Sequence, residues 1–367
     1  MKPADSCLPL SKASTGPHPG RPVGRLERLP KALNLVPMVL QWLWLSLRHR
    51  SLTLPSCANP AIATGGMVGE GKLEYLAAMG DHARRAMVPT TGFTCEGPSS
   101  VDMVEARMGQ HGLAYPIVLK PDLGWCGFGV RRIDDRGELL AYLSRFPLGE
   151  CIVMQPFLPQ PGEAGVFYLR MPHEAKGRLI GLLLRHAPQV TGDGRHTVAE
   201  LAAMDVRASR LGRDGASGVH GDPQAVPPAG ERVRLSTVSS TRVGGLYENA
   251  TALITPALTD AFDRIARDMA SFHVGRFDVK FDSLASLCEG HGFQIIEVNG
   301  AGSEAVHAWD PALGLRAAYR IIFDKQRRLF DVGAAMRRLG HRPIGPVGLA
   351  RAYLRQMALI KRYPPSN

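Results

Sequence analysis

No run of 18 or more apolar residues occurs in this 367-residue chain, so an ordinary membrane-spanning helix is not expected. Paired cysteines are missing too. The six cysteines lie scattered at positions 7, 57, 95, 126, 151 and 288, with no Cys-x-x-Cys and no metal-finger spacing. That pattern fits reduced thiols in a cytoplasmic protein and argues against a disulfide framework. There is no aromatic-rich RNA motif, zinc finger or helix-turn-helix, and no nucleic-acid partner is expected. No convincing nucleophile triad stands out. The segment Gly66-Met-Val-Gly69-Glu70-Gly71-Lys72 fits the first seven places of a P-loop. It lacks the Ser or Thr that should follow, Leu73 standing there instead, and no strand leads into it, so a P-loop nucleotidase is rejected.

Positive charge is plentiful but uneven. The net charge is +11, with residues 1–50 at +6 and 312–367 at +10, which leaves the central stretch 51–311 at −5. A uniformly basic nucleic-acid binder would look different. The length predicts two or three packed lobes. Residues 1–30, rich in Pro, Gly, Ser and Arg, read as a disordered basic tail. Residues 33–47 form an apolar stretch with Trp42 and Trp44, ending at Arg48 and Arg50. It is read first as a helix packed on the fold. The alternative is an interfacial helix in peripheral contact with an anionic membrane through residues 33–50.

Two short acidic segments carry the most information. Gly-Arg-Phe-Asp278-Val-Lys280-Phe and Phe-Gln-Ile-Ile-Glu297-Val-Asn299-Gly both alternate apolar and polar residues, as strands do. Asp278 and Lys280 then share one face, as do Glu297 and Asn299. Two carboxylates and an amide oxygen aimed at one spot are hard donors of the kind that suits Mg²⁺; two amphipathic strands with solvated polar faces are the alternative. Upstream, an apolar strand ends in Lys120 and leads into a turn holding Gly124, Gly127 and Gly129. Glycines let backbone N–H groups approach an anion, and a lysine supplies a compact cation for phosphate oxygens.

Over residues 112–311 this order resembles the ATP-grasp superfamily of carboxylate–amine ligases, the group of D-alanine–D-alanine ligase and cyanophycin synthetase. The segment Gly192-Asp193-Gly194-Arg195-His196-Thr197 looks like the cyanophycin-synthetase-type turn. The resemblance implies an α/β (α+β) fold in which two lobes enclose ATP. An N-terminal substrate-side region, 31–111, would precede it and a helical region, 312–367, would follow. It implies an ATP-dependent C–N ligase using Mg²⁺ (or Mn²⁺), with small carboxylate and amine substrates such as amino acids or peptides. ATP phosphates would lie under Gly124, Gly127 and Gly129 against Lys120. Backbone at Val153, Met154 and Gln155 would meet adenine, and Glu163 would take the ribose or remain a solvated turn residue. Asp278, Glu297 and Asn299 would hold the metal. Lys280 would stabilise the developing charge, Arg242 would hold an acyl phosphate, and Arg185 would reach phosphate or a substrate carboxylate. Lys72 either faces the nucleotide or is an exposed lysine in a simple turn. Ser303 and Glu304 are candidates for substrate-carboxylate contacts, and His307 is a base or a helix-start histidine. The rival from another class is a non-catalytic ATP-binding scaffold or a membrane-surface module that kept this fold.

Overall fold

The computed structural model describes residues 23–212 and 218–367; positions 1–22 of the expected tail and 213–217 of the long central loop lie outside the described residues. Two antiparallel sheets organise the chain. The first is built from β1 (Thr91–Thr94), β2 (Ile117–Pro121), β3 (Arg131–Ile133) and β4 (Cys151–Pro156), in the order β1-β4-β2-β3. The strands that follow are β5 (Gly162–Leu169), β6 (Arg178–His186), β7 (Gln189–Thr191), β8 (Arg232–Arg234), β9 (Leu246–Asn249), β10 (Val274–Phe281) and β11 (Phe293–Asn299). Five of them form the second sheet in the order β11-β10-β5-β6-β9, and β7 pairs with β8 as a separate ribbon.

Each sheet is backed by helices whose caps are written in the sequence. Asp135 accepts a hydrogen bond from the Glu138 amide and starts helix Arg136–Arg145. Its Leu139, Tyr142 and Leu143 join Val104 and Met108 of helix Val101–Gln110 in a core with Ile117, Leu119 and Ile152 of the first sheet. Thr255 caps helix Pro256–Arg267, with Pro256 in the first turn. Its Leu258, Phe262, Ile265 and Ala266, which share one face at helical spacing, are buried against Phe277, Val279 and Phe281 of β10. The Phe262 ring stacks on Phe293 with centroids 4.8 Å apart. Emptying such a position costs about 3–5 kcal/mol.

Strand alternation then sends Arg276, Asp278 and Lys280 to the opposite face of β10. Toward the start of β10 this second face runs into another core. Val274 and Leu169 pack there with Leu45 of helix Lys31–His49 and with Leu329 and Phe330 of helix Leu315–Arg338. Trp42 meets Phe330 edge-on at 4.9 Å. The apolar stretch 33–47 is therefore packed on the fold, and yet Leu33, Val36, Leu40, Leu43 and Leu47 of the same helix stay exposed. No helix among the described residues is long and apolar enough to cross a membrane. The segment read as a tail to residue 30 is docked from Arg25 onward. Arg25–Arg28 is a helical turn with Leu26 buried, and Glu27 is bonded to Arg207 at 2.9 Å and to Arg210 at 3.3 Å.

Candidate active site

The second face of the five-stranded sheet is a layer of charge. Register places Lys280 opposite Glu163, Asp278 between Gly165 and Glu297, and Arg276 opposite Asn299. Asp278 is 1% exposed and has all its acceptor directions occupied. Arg185 donates to its Oδ1 at 2.9 Å; Arg276 donates at 2.7 Å to Oδ1 and 2.9 Å to Oδ2; Asn299 Nδ2 donates to Oδ2 at 3.2 Å. Burial pushes the Asp278 carboxyl up, but the two guanidiniums outweigh it and hold the group below the ordinary carboxylate range. Gly165 makes room for this cluster, because a Cβ there would come within 3.1 Å of the Arg276 side chain.

Glu163 sits one step along the same face. It is ion-paired with Lys280 and Arg185, each at 3.4 Å, and accepts from Ser239 Oγ at 3.0 Å. Burial raises its pKa, and Lys280, Arg185 and Arg234 more than reverse that. Burial lowers the Lys280 ammonium from its usual value while Glu163 opposes the shift. Glu163 is thus a buried member of an ion network, not a solvated turn residue.

The first sheet meets this face at the Ile296 carbonyl of β11. Lys120 Nζ donates to it at 2.8 Å and Gln155 Nε2 at 3.1 Å. Lys120 is buried, and burial draws its ammonium down to about 8 despite the nearby Glu297 carboxylate. Glu297 is the more open acid, 28% exposed, paired with Lys72 at 3.4 Å. Lys72 also donates to the Asp122 carbonyl at 3.2 Å and lies beneath the glycine turn: a Cβ on Gly124 would sit 2.7 Å from its Nζ. The turn needs glycine. Gly127 and Gly129 have φ of 75° and 72°, and Cβ atoms there would collide with Val238 and Pro121. Arg242 donates to the carbonyls of Cys126 at 3.3 Å and Gly127 at 3.5 Å and stacks over Phe128, so it fastens this turn.

Lys72, Lys120, Glu163, Arg185, Asp278, Lys280, Glu297 and Asn299 therefore converge where the sheets meet, with the glycine turn above Lys72. The strand residues behave differently. Val153 and Met154 are fully buried, with β1 and β2 paired on either side through Met154 and Pro156, so their backbone serves the sheet. On the β1 side the ladder ends at Met154, so Gln155 and Pro156 are paired on the β2 side alone.

Several residues escaped the sequence reading. Arg276 stands two places before Asp278, and the alternation that selected Asp278 and Lys280 selects it as well. Gln356 bridges the loop and the turn, accepting from Gly69 N at 3.2 Å and donating to Gly124 O at 2.9 Å. The loop Gly66–Lys72 lies against the turn after Asn299, with Gly302 N donating to Gly66 O at 2.7 Å. Within it, burial raises the Glu70 carboxyl to about 7, and Glu70 Oε2 and the nearby Tyr75 hydroxyl are buried without a partner. Ser303 and His307 are buried beside Lys325 of helix Leu315–Arg338, and Lys325 Nζ lies 3.4 Å from Ser303 Oγ.

No protein-family model matches the chain. No curated protein matches it either. Among solved structures, a bifunctional glutathione synthetase from Pasteurella multocida overlaps 73% of this chain and 38% of its own length, at 16% identity and a TM-score of 0.37. The VanG D-Ala:D-Ser ligase from Enterococcus faecalis overlaps the same share of this chain and 64% of its own, at 12% identity and 0.40. The D-cycloserine synthetase DcsG gives 70% of its own length, 13% identity and 0.36. This chain thus spans less than two thirds of the first two. At such scores the overlaps are loose, and the mixed α/β architecture with two antiparallel sheets rests on the topology described above.

Proposed function

We propose that the chain is an ATP-dependent ligase of ATP-grasp type that joins a carboxylate to an amine through an acyl phosphate. What supports this most is the convergence of Lys120 and the glycine turn with the charged face of β5, β6 and β10. One side offers a cation and backbone N–H groups for phosphate, and the other offers fixed charges where phosphoryl transfer would occur.

The oxygen donors present fit Mg²⁺, though not as the full expected trio. Glu297 is partly open, and Asn299, by donating its Nδ2 to Asp278, leaves Oδ1 as an acceptor, so these two residues would hold the ion. Both oxygens of Asp278 are taken by Arg185, Arg276 and Asn299; among the described residues no group of three or more His, Cys, Asp or Glu side chains could hold a metal. Bound there, Mg²⁺ would neutralise charge on the phosphate oxygens.

The rest falls to the chain's own side chains. Lys120 and Lys72 hold the phosphate tail beneath the turn, and adenine lies toward the strand exit at Gln155. A substrate carboxylate oxygen attacks the γ-phosphorus, and ADP leaves. The amine then attacks the acyl carbon, phosphate departs with the C–O bond electrons, and the amine loses its proton to give the amide. Arg185, Arg276 and Lys280, held in place by Asp278 and Glu163, present positive charge to the transferring group without having to reorganise. The test is ADP release with and without paired amino acids or short peptides. Release that depends on both a carboxylate and an amine supports the ligase. The doubly ion-paired Asp278 favours one rival, a scaffold that binds ATP without turnover; nucleotide binding with no ADP release under any pairing would establish it.

A further inference from the structure

Beyond the charged face, between β6, β9 and helix Leu315–Arg338, lies a cavity of about 830 Å³. Phe167 and Ile180 give it an apolar wall, and His307 and Lys325 line it as buried polar groups. Arg316 and Arg320, also lining it, are exposed and stand at its mouth. The His307 ring lies 4.6 Å from that of Phe167, in space that Gly181 leaves open, since a Cβ there would sit 2.7 Å from the imidazole. Among the described residues, His307 Nδ1 is buried with no hydrogen-bond partner, and Lys325, 9% exposed, has a hydroxyl 3.4 Å away and no carboxylate within ion-pair distance. Among the described residues Asp324 is the one acid on the cavity wall, and it is bonded to Arg327 and Arg328.

A buried ammonium with no acid in ion-pair contact among the described residues, an imidazole nitrogen without a hydrogen bond beside it and two arginines at the entrance make a cavity short of negative charge. We propose that this cavity seats a carboxylate-bearing substrate, its carboxylate against Lys325 and His307 and its apolar part along Phe167 and Ile180; the inference rests on the ligase reading for the role of that substrate. Much of the wall comes from the helix at 315–338, outside the stretch that carries the ligase resemblance. The groups facing Lys325 are Ser303 and Glu304 from the turn after β11, His307 and, from β10, Arg276. Burial leaves the ammonium close to neutrality, at about 7, and a bound carboxylate would restore its charge.

The test measures binding by the full-length protein, with calorimetry and thermal shift. The probes are L- and D-alanine, L-glutamate, succinate and alanyl-alanine, with inorganic phosphate as the small-anion control and a non-hydrolysable Mg²⁺-ATP analogue measured in parallel. At least one carboxylate should bind the wild type. Lys325→Met and His307→Phe should each weaken it at least ~10-fold, while the analogue binds all three proteins alike. Arg316→Ala, at the exposed mouth, should weaken it less. Binding of no carboxylate, equal binding to Lys325→Met, or binding of phosphate alone would overturn the assignment. Carboxylate binding with no analogue binding would sink the ligase reading and leave the cavity site standing; the reverse result would do the opposite.

Discussion

Two buried groups of charge on neighbouring parts of this molecule follow opposite rules. Around Asp278, two arginines and an amide satisfy both carboxylate oxygens, and Glu163 answers Lys280 and Arg185 in the same way. Around Lys325, a lysine and a histidine are buried, the lysine with one hydroxyl at 3.4 Å and His307 Nδ1 with no hydrogen-bond partner among the described residues. The first arrangement is complete as folded and holds side chains in place. The second is costly as folded, because burial strips hydration from the ammonium and no ion pair replaces it. Under the proposed assignment, a bound carboxylate relieves that cost.

The contrast can be broken most directly at Asp278. Asp278→Asn leaves Arg185 and Arg276 buried against a neutral amide, and the expected loss is about 3–5 kcal/mol in urea denaturation. A loss below about 1 kcal/mol would mean that water, not Asp278, compensates the arginines. Glu297→Gln sharpens the point from the other side. Its side chain is 28% exposed and its ion pair with Lys72 is loose at 3.4 Å, so stability should move by no more than about 1 kcal/mol. Substrate-dependent ADP release, by contrast, should fall by about 10²–10³-fold. Wild-type turnover in that variant would remove Glu297 from the site.

The compensated cluster was largely legible in the sequence, because strand alternation is local. Asp278 with Lys280, and Glu297 with Asn299, declare a shared face from two residues' spacing. Arg276 obeys the same spacing, but a guanidinium is not a metal donor and does not declare itself in a search for oxygen ligands. The buried lysine was not legible. Lys325 lies among Arg320, Arg327 and Arg328 in a helix of mixed apolar and basic residues, and its burial beside Ser303 and His307 depends on a separate segment. Nor did the sequence show that Val153 and Met154 occupy a strand paired on both edges, since pairing partners 33–35 and 61–63 residues upstream decide that.

At Lys325 the contrast predicts a stabilising substitution. The folded-state pKa, about 7, lies below the ordinary lysine value of 10.5. Below pH 7 both the folded and the unfolded chain hold the proton, so the whole cost of burying the ammonium is present. Between pH 7 and 10.5 the unfolded chain binds more protons than the folded one, so stability rises with pH and the cost fades. Lys325→Met should therefore stabilise the protein by an amount on the order of 1–4 kcal/mol near pH 6, and the gap to wild type should shrink toward pH 10. Parallel denaturation curves at pH 6, 8 and 10 read it. A variant less stable than wild type at pH 6 would mean that Lys325 is compensated after all.

The smallest effect is expected on the helix Lys31–His49, which carries the comparison to an apolar surface. Trp42 and Leu45 point into the core against Phe330 and its neighbours, whereas Leu40 is 62% exposed and Leu47 79%. A side chain that stays in water in the folded state gains almost nothing from folding, so hydrophobic transfer gives Leu47 little to lose. Leu47→Gln and Leu40→Gln should each change stability by no more than about 0.5 kcal/mol, measured by urea denaturation of the full-length chain. A loss above about 1 kcal/mol at either position would show that another surface covers the stripe in solution, because only removal from water makes an apolar side chain count.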